Sequence, residues 1–184
     1  MALPHRDRVL RAATTSFLAR GYGSSVDDIA RRAGVAKQTV YHHFPSKDEL
    51  FKEVARELAK HLLVELSGDD VRESLLRFAQ GYRKRALGPQ GIATFRTLVP
   101  EVPRFRALAR TMYANTAGEL VRRLAEFLGH KLRIEDPEFA AEMLLGMLTG
   151  HDRIKRLFGV AASAESESQR TARIVDRFLR AFQS

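Results

Sequence analysis

Between Gly21 and Leu50 the chain reads GYGSSVDDIARRAGVAKQTVYHHFPSKDEL, and the polar residues in its second half are types that can read a nucleic acid. Lys37 can donate to guanine O6 and N7, and Gln38 can engage adenine N6 and N7, the pairings that major-groove geometry favours. Thr39, Tyr41 and His42 carry donors suited to phosphate oxygens, contacts that position a helix without reading sequence. Val40 and Phe44 lie among them four residues apart, so one face of a short helix turns inward and the rest is left for a partner. An exposed polar helix in any helical bundle has the same pattern, and the adjacent histidines His42 and His43 also suit a plain surface.

Local signals predict how such a helix is held. Ser25-Val26-Asp27-Asp28 places a hydroxyl at a helix start and a carboxylate three residues on, a capping box with Asp in place of the longer Glu. Ile29, Ala30 and Ala33 supply the buried face of two turns, and Gly34 can take the left-handed conformation that ends them. The second helix, Ala36 to His43, follows at once, with Val35 plugging the turn. Helix, sharp turn and helix make the helix-turn-helix pattern. Pro45-Ser46-Lys47-Asp48-Glu49-Leu50 gives a second capping box from Ser46 and Glu49. The helix starts at Ser25 and Ser46 offer free N–H groups to phosphate, and Lys47 adds charge at the second.

Apolar periodicity is helical nearly everywhere else. Val9, Ala13 and Phe17 mark a first helix ending near Gly21. Leu50, Val54, Leu58 and Leu62 mark a long helix from Lys47 that stops around Ser67-Gly68, and Leu75, Phe78, Ala79 and Tyr82 mark another. Leu108, Met112, Leu120, Leu124 and Phe127 predict one long helix after Pro103. Phe139, Met143, Leu144, Met147 and Leu148 predict one after Asp136-Pro137, where proline suits the first helical position. Residues 161–169 read as a loop, and Ile174, Val175, Phe178, Leu179 and Phe182 belong to a final helix. No stretch alternates long enough to predict a strand, so the fold class is all-α.

In 184 residues with 45% hydrophobic and 29% charged content there is room for a real core and one or two small domains. The net charge of +9 favours an anionic partner. It is spread, with about +3 in residues 1–50 and about +6 beyond, so a solvated basic surface also accounts for it. No apolar run reaches the ~18 residues of a membrane span. The start, MALPHRDRVLRAATTSF, lacks the apolar core of a secretory signal, and the chain has no cysteine. These features lead to an expectation of a cytoplasmic protein with no membrane partner, no disulfide and no thiolate site.

The run GYGSSVDDIARRAGVAKQTVYHHFPSKDELF resembles the N-terminal domain of the TetR family of bacterial transcriptional regulators, over roughly the first fifty to sixty residues. The resemblance implies a three-helix helix-turn-helix domain over residues 1–48 and a larger helical effector-binding and dimerisation domain over residues 49–184. It also implies a homodimer built on the last two helices. Ser25, Lys37, Gln38, Thr39, Tyr41, His42, His43 and Lys47 then occupy positions that commonly touch DNA. Two residues depart from the pattern. Ala36 stands where Ser or Thr is usual, forgoing a cap worth about 0.5–2 kcal/mol. Gln38 stands where glycine is frequent, so the DNA site read by this chain can differ from those of relatives.

Farther on, TFRTLVPEVPRFRALARTMY and EDPEFAAEMLLGMLTG resemble the C-terminal domain of one TetR subgroup. That implies dimer contacts from Met143, Gly146, Gly150, Ile174, Val175, Phe178, Leu179 and Phe182, although the same side chains could simply finish the monomer core. Candidates for an effector pocket among the central helices are Phe78, Tyr82, Phe95, Leu98, Met112, Tyr113, Met147 and His151, being large, adaptable or tipped with one polar group. Such a pocket suits an apolar or amphipathic effector, with ordinary core packing the alternative for each residue. His151-Asp152 could bind that effector, cap a kink or mark where the helix meets solvent.

Enzyme chemistry finds no support. His151-Asp152 has no metal-binding partners at suitable spacing, and His42 and His43 point about 100° apart on a helix. There is no phosphate loop, no cofactor motif and no metal motif. The expectation is a homodimeric, ligand-responsive regulator, a repressor, that binds a double-stranded palindromic operator and is released by a small-molecule effector. The alternative is a basic helical scaffold that binds DNA without sequence preference.

Overall fold

The computed structural model describes residues 3–60, 63–160 and 165–182, which are helical with no strand among them. The helices are α1 (His5–Arg20), α2 (Val26–Ala33), α3 (Lys37–His43), α4 (Lys47–Lys60), α5 (Val71–Leu87), α6 (Pro89–Leu98), α7 (Arg106–Tyr113), α8 (Glu119–Leu132), α9 (Pro137–Leu157) and α10 (Glu167–Phe182). Two compact units emerge: Met1–His61 with Ala93–Met112, and Leu62–Ile92 with Tyr113–Ser184. The packing thus assigns all of α4 to the first unit and brings residues 93–112 back to it. The expected functional division at residue 48 is a different line from this one.

In the first unit α1 packs along α2, α3 and α4. Val9, Ala13, Phe17, Ile29, Val40, Phe44, Leu50, Phe51 and Val54 form its core, and Phe105 joins them from the returning segment. Phe17, Tyr22, Phe51 and Phe105 make edge and stacked ring contacts at centroid separations of 5.2–6.3 Å. Thr97 secures the same segment by donating to the Phe17 carbonyl at 3.1 Å.

In the second unit α8 packs along α9, and α5 lies against both α9 and α10. Leu75, Phe78, Leu124, Leu128, Leu144, Leu148, Val175 and Phe178 are fully buried there. Asp136 caps α9 by accepting from the Phe139 N–H at 3.1 Å, with Pro137 at its first position as expected.

Several expected boundaries move. The helix from Lys47 ends at Lys60, not near Gly68; Leu62 lies outside the described residues, and residues 63–68 are not helical. Val64 is buried in the second unit's core, while Arg77 donates to the Ser67 carbonyl at 2.8 Å and Arg85 to that of Leu63. Side chains of α5 therefore satisfy carbonyls that a longer helix would have paired internally. The long helix expected after Pro103 is interrupted by a π-helical turn at Ala114–Gly118. Helix α6 had no clear apolar signature, since Gly88, Pro89 and Gly91 obscure its start. Residues 161–164 of the expected loop lie outside the described residues, but its last part is helical, because Ser166 caps α10 by accepting from the Gln169 N–H at 3.2 Å.

Candidate nucleic-acid interface

The turn between α2 and α3 is fixed by local bonds. Ser25 Oγ accepts from the Asp28 N–H at 3.1 Å, the first half of the capping box. The other half is absent, because the Asp28 carboxylate is shorter than Glu and instead pairs with Arg20 at 3.1 Å and with Arg31. Gly34 is left-handed at φ 63° and ψ 42°, and the Val35 N–H returns to the Ala30 carbonyl at 3.1 Å. Arg8 reaches across from α1 and donates to the Ala33 carbonyl at 3.0 and 2.6 Å and to that of Gly34 at 2.8 Å. A guanidinium at a helix C-terminus both satisfies orphan carbonyls and opposes the negative end of the dipole.

Helix α3 then presents two faces. Val40 and Phe44 are buried, whereas Lys37, Gln38, Tyr41 and His42 are exposed. Thr39, His43 and Lys47 are half-buried, and Ser25 is exposed at its cap. Ala36 holds the N-cap position in extended geometry with no side-chain bond, so α3 starts without the cap that a hydroxyl would provide. Lys37 is bonded to Asp27 at 3.0 Å, and that bond raises its pKa. The pair is solvent-exposed, so exchanging Asp27 for a DNA acceptor costs little. The His42 and His43 rings meet edge-on at 5.2 Å.

A cluster at the start of α4 leaves no local signature in the sequence. Ser46 caps the helix by accepting from the Glu49 N–H at 3.1 Å, as expected. Beside it, Tyr22 donates to Asp48, and burial together with that acceptor pushes the phenol pKa up to about 12. The same bond, with Arg104 at 2.9 Å, holds the Asp48 carboxyl below its ordinary value. Lys47 Nζ and the Arg104 guanidinium each lie 4.4 Å from the centre of the Tyr22 ring. Lys47 is therefore positioned by an aromatic face and is not a loose surface charge.

The expected pocket residues do not gather at one place. Leu98 and Met112 line an apolar cavity of about 160 Å³ in the first unit, with Phe51, Val102, Phe105 and Leu108 among its other walls. Phe95 belongs to the same unit and is half-buried. Phe78 and Tyr82 are stacked at 5.9 Å in the second unit's core. Tyr113 is 60% exposed, and Met147 and His151 are exposed as well. Asp152 faces inward: although burial pushes its carboxyl up, Arg170 at 2.7 Å and Arg83 at 2.9 Å bring it below the usual value. Of the three roles considered for His151-Asp152, the histidine reaches solvent and the aspartate belongs to an ion-pair network.

The expected dimer residues divide between two surroundings. Met143, Gly146 and Gly150 are exposed on α9, and a Cβ built at either glycine meets no atom within 4 Å. Val175, Phe178 and Leu179 of α10 are buried within their own unit, which agrees with the alternative that they finish the core of the single chain. They pack under α5 and α9, and a covered side chain has no further area to bury. Ile174 and Phe182 flank that core half-buried. Among the described residues no group of three or more His, Asp or Glu is placed to hold a metal ion, and no helix is long and apolar enough to cross a membrane.

Residues 9–54 match the bacterial regulatory proteins of the tetR family, and residues 73–184 match the AefR-like transcriptional repressor C-terminal domain. The flavonoid-responsive regulator FrrA is similar at 32% identity, with a TM-score of 0.72 and 96% of both chains covered. A TetR family transcriptional regulator from Pseudomonas syringae pv. tomato is similar at 25% identity, with a TM-score of 0.71 and 95% of both chains covered. The HTH-type transcriptional regulator YhgD of Bacillus subtilis is 33% identical over 85 residues, 46% of this chain. The match spans 44% of YhgD, less than half of that curated relative's length.

Proposed function

This chain belongs to the TetR family of bacterial transcriptional regulators and so is a DNA-binding regulator rather than an enzyme, and from that premise we propose how it works. Residues 1–48 bind a palindromic DNA operator through α3, and residues 49–184 bind a small-molecule effector and a second copy of the chain. The observation that carries the reading is α3 itself, where Val40 and the C-cap Phe44 are buried while Lys37, Gln38, Tyr41 and His42 are exposed. Lys37 and Gln38 read base edges; Ser25, Thr39, Tyr41, His42, His43 and Lys47 contact the phosphate backbone.

A homodimer is supported by α9, which exposes Phe139, Met143, Met147 and Ile154 along one stripe that continues to Phe158 at its C-cap, 80% exposed. Gly146 and Gly150 lie in that stripe without side chains and favour close approach of a second helix. Two copies would place their α3 helices in successive major grooves, about 34–36 Å apart. Repression agrees with the names of two similar proteins, the HTH-type transcriptional repressor KstR2 of Mycolicibacterium smegmatis and the negative transcriptional regulator IcaR of Staphylococcus aureus. Effector control agrees with the flavonoid-responsive FrrA. Effector binding shifts the population toward a dimer whose α3 helices no longer fit the operator, by as much as its affinities for the two states differ.

Selection of bound sequences from a randomised duplex library tests this reading. A palindromic product is expected. Gln38→Ala should alter preference at defined positions by about 1–3 kcal/mol, while Lys47→Gln weakens all sequences alike. No enrichment, with equal affinity for every duplex and a steep salt dependence, would favour the non-specific scaffold instead.

A further inference from the structure

We propose that the second unit binds a small organic carboxylate between Arg83, Arg156 and Lys84, at a place the Glu167 side chain now fills as an internal substitute. These residues line a cavity of about 500 Å³ bounded by α5, the end of α9 and the start of α10. Glu167 is the one acid among three cations on its wall.

Arg83 is the fixed element. Its side chain is 2% exposed; Nη1 donates to the Leu148 carbonyl at 2.5 Å, and Nη2 to Asp152 at 2.9 Å and Glu167 at 2.6 Å. Arg156 is anchored by its Nη1 bond to the Leu87 carbonyl at 2.9 Å and gives its other arm to Glu167. One oxygen of Glu167 therefore serves each arginine: Oε2 takes Arg83 and Oε1 takes Arg156. Two guanidiniums converging on a single carboxylate form a receptor for that group in whatever molecule carries it.

Glu167 is also the movable partner. Its side chain is 55% exposed, and it opens α10 directly after the Ser166 cap. Asp152 keeps Arg83 paired when Glu167 swings out, so the departure uncovers no lone buried charge, and an arriving carboxylate restores the bonds to Arg83 and Arg156 that Glu167 gives up. A ligand carboxylate makes that exchange with the charge balance unchanged. Lys84, which forms no ion pair among the described residues, adds attraction from the exposed side, and Leu87 and Gly88 offer an apolar wall for the ligand's body. The ligand class is thus a carboxylate with a compact hydrocarbon portion. Asp152 stays on Arg170 and Arg83 throughout, so the core keeps its own counter-ion.

Calorimetric titration of the full chain with sodium octanoate, in the absence of DNA, tests the site independently of what the first unit does. One octanoate per chain is expected. Glu167→Gln removes the internal competitor and should tighten octanoate by about fivefold or more. Lys84→Gln should weaken it by about threefold, as befits an exposed charge. Octanamide, neutral and of the same shape, should give no binding heat, and inorganic phosphate should bind about tenfold or more weakly for want of an apolar body. Both substitutions fall on exposed side chains, and circular dichroism verifies that the helices persist. The proposal is overturned if octanoate fails to bind, if Glu167→Gln leaves its affinity unchanged, or if octanamide or phosphate binds as well.

Discussion

Replacing Gly34 by alanine should destabilise the first unit through two separable effects. The first is conformational: at φ 63° an L-residue pays about 1–2 kcal/mol for the left-handed region. The second is a collision, because a Cβ at this position lies 2.7 Å from Arg8 Nη2. Arg8 is flexible and will move, but doing so disturbs its three bonds to the Ala33 and Gly34 carbonyls. Partial loss of such charge-assisted bonds costs about 0.5–1.5 kcal/mol, and alanine returns about 0.4–1 kcal/mol by stiffening the unfolded chain. The net expectation is about 1–2.5 kcal/mol. Native-state hydrogen exchange at the Ile29 and Val40 amides reads this opening free energy directly in the unit concerned. In an Arg8→Met background the collision is gone, so Gly34→Ala should cost about 1 kcal/mol or less, a coupling of about 0.5–1.5 kcal/mol. If Gly34→Ala costs the same in both backgrounds, Arg8 does not brace this turn. If it costs nothing in either, the left-handed cap does not set the angle between α2 and α3.

Three further outcomes are expected. Ala36→Ser should supply the missing cap of α3 by accepting from the Thr39 N–H and slow exchange of the α3 amides by about 0.5–2 kcal/mol; an unchanged rate would mean that α3 is limited by tertiary packing alone. Tyr22 should ionise near pH 12, and Tyr22→Phe should delete that step from an ultraviolet titration. The folded state keeps this proton longer than the unfolded chain, so the contribution of Tyr22 to stability is complete below pH 10 and is lost as pH rises toward 12. Met147→Glu places a charge in the exposed stripe of α9 and should shift sedimentation from dimer to monomer without loss of helicity; an unaltered dimer would exclude that face as the interface.

What the sequence disclosed was decided over three or four residues. Ser25 and Ser46 cap helices through N–H groups three positions ahead, and Gly34 ends α2 through carbonyls just behind it. Such bonds leave their signature in adjacent letters. The apolar stripe of α10 carries less information, because periodicity says that Val175, Phe178 and Leu179 are covered but not by what. Here α5 and α9 cover them, leaving the exposed apolar stripe on α9. Helix α9 is apolar on two faces, Ala140, Leu144 and Leu148 inward and Phe139, Met143 and Met147 outward, so its letters were compatible with either assignment. The end of α4 leaves no local signature for a related reason. Arginines of α5 accept the task of bonding carbonyls 63 and 67, and no local letter announces a donor ten to twenty-two residues away.

Lys47 shows how such a distant donor changes the chemistry expected of a local motif. In the sequence it is a cation beside a helix start, free to meet phosphate; in the fold its ammonium lies over the Tyr22 ring. Releasing an exposed cation from an aromatic face costs about 0.5–1 kcal/mol, which subtracts from whatever a phosphate contact contributes. Arg104, 56 residues beyond Asp48, reduces that loss in two ways. It keeps a cation over the same ring after Lys47 leaves, and it holds Asp48 as a carboxylate that continues to accept from Tyr22. The returning segment 93–112 therefore bears on how strongly α4 can offer Lys47 to DNA, although none of its own residues belongs to the helix-turn-helix motif.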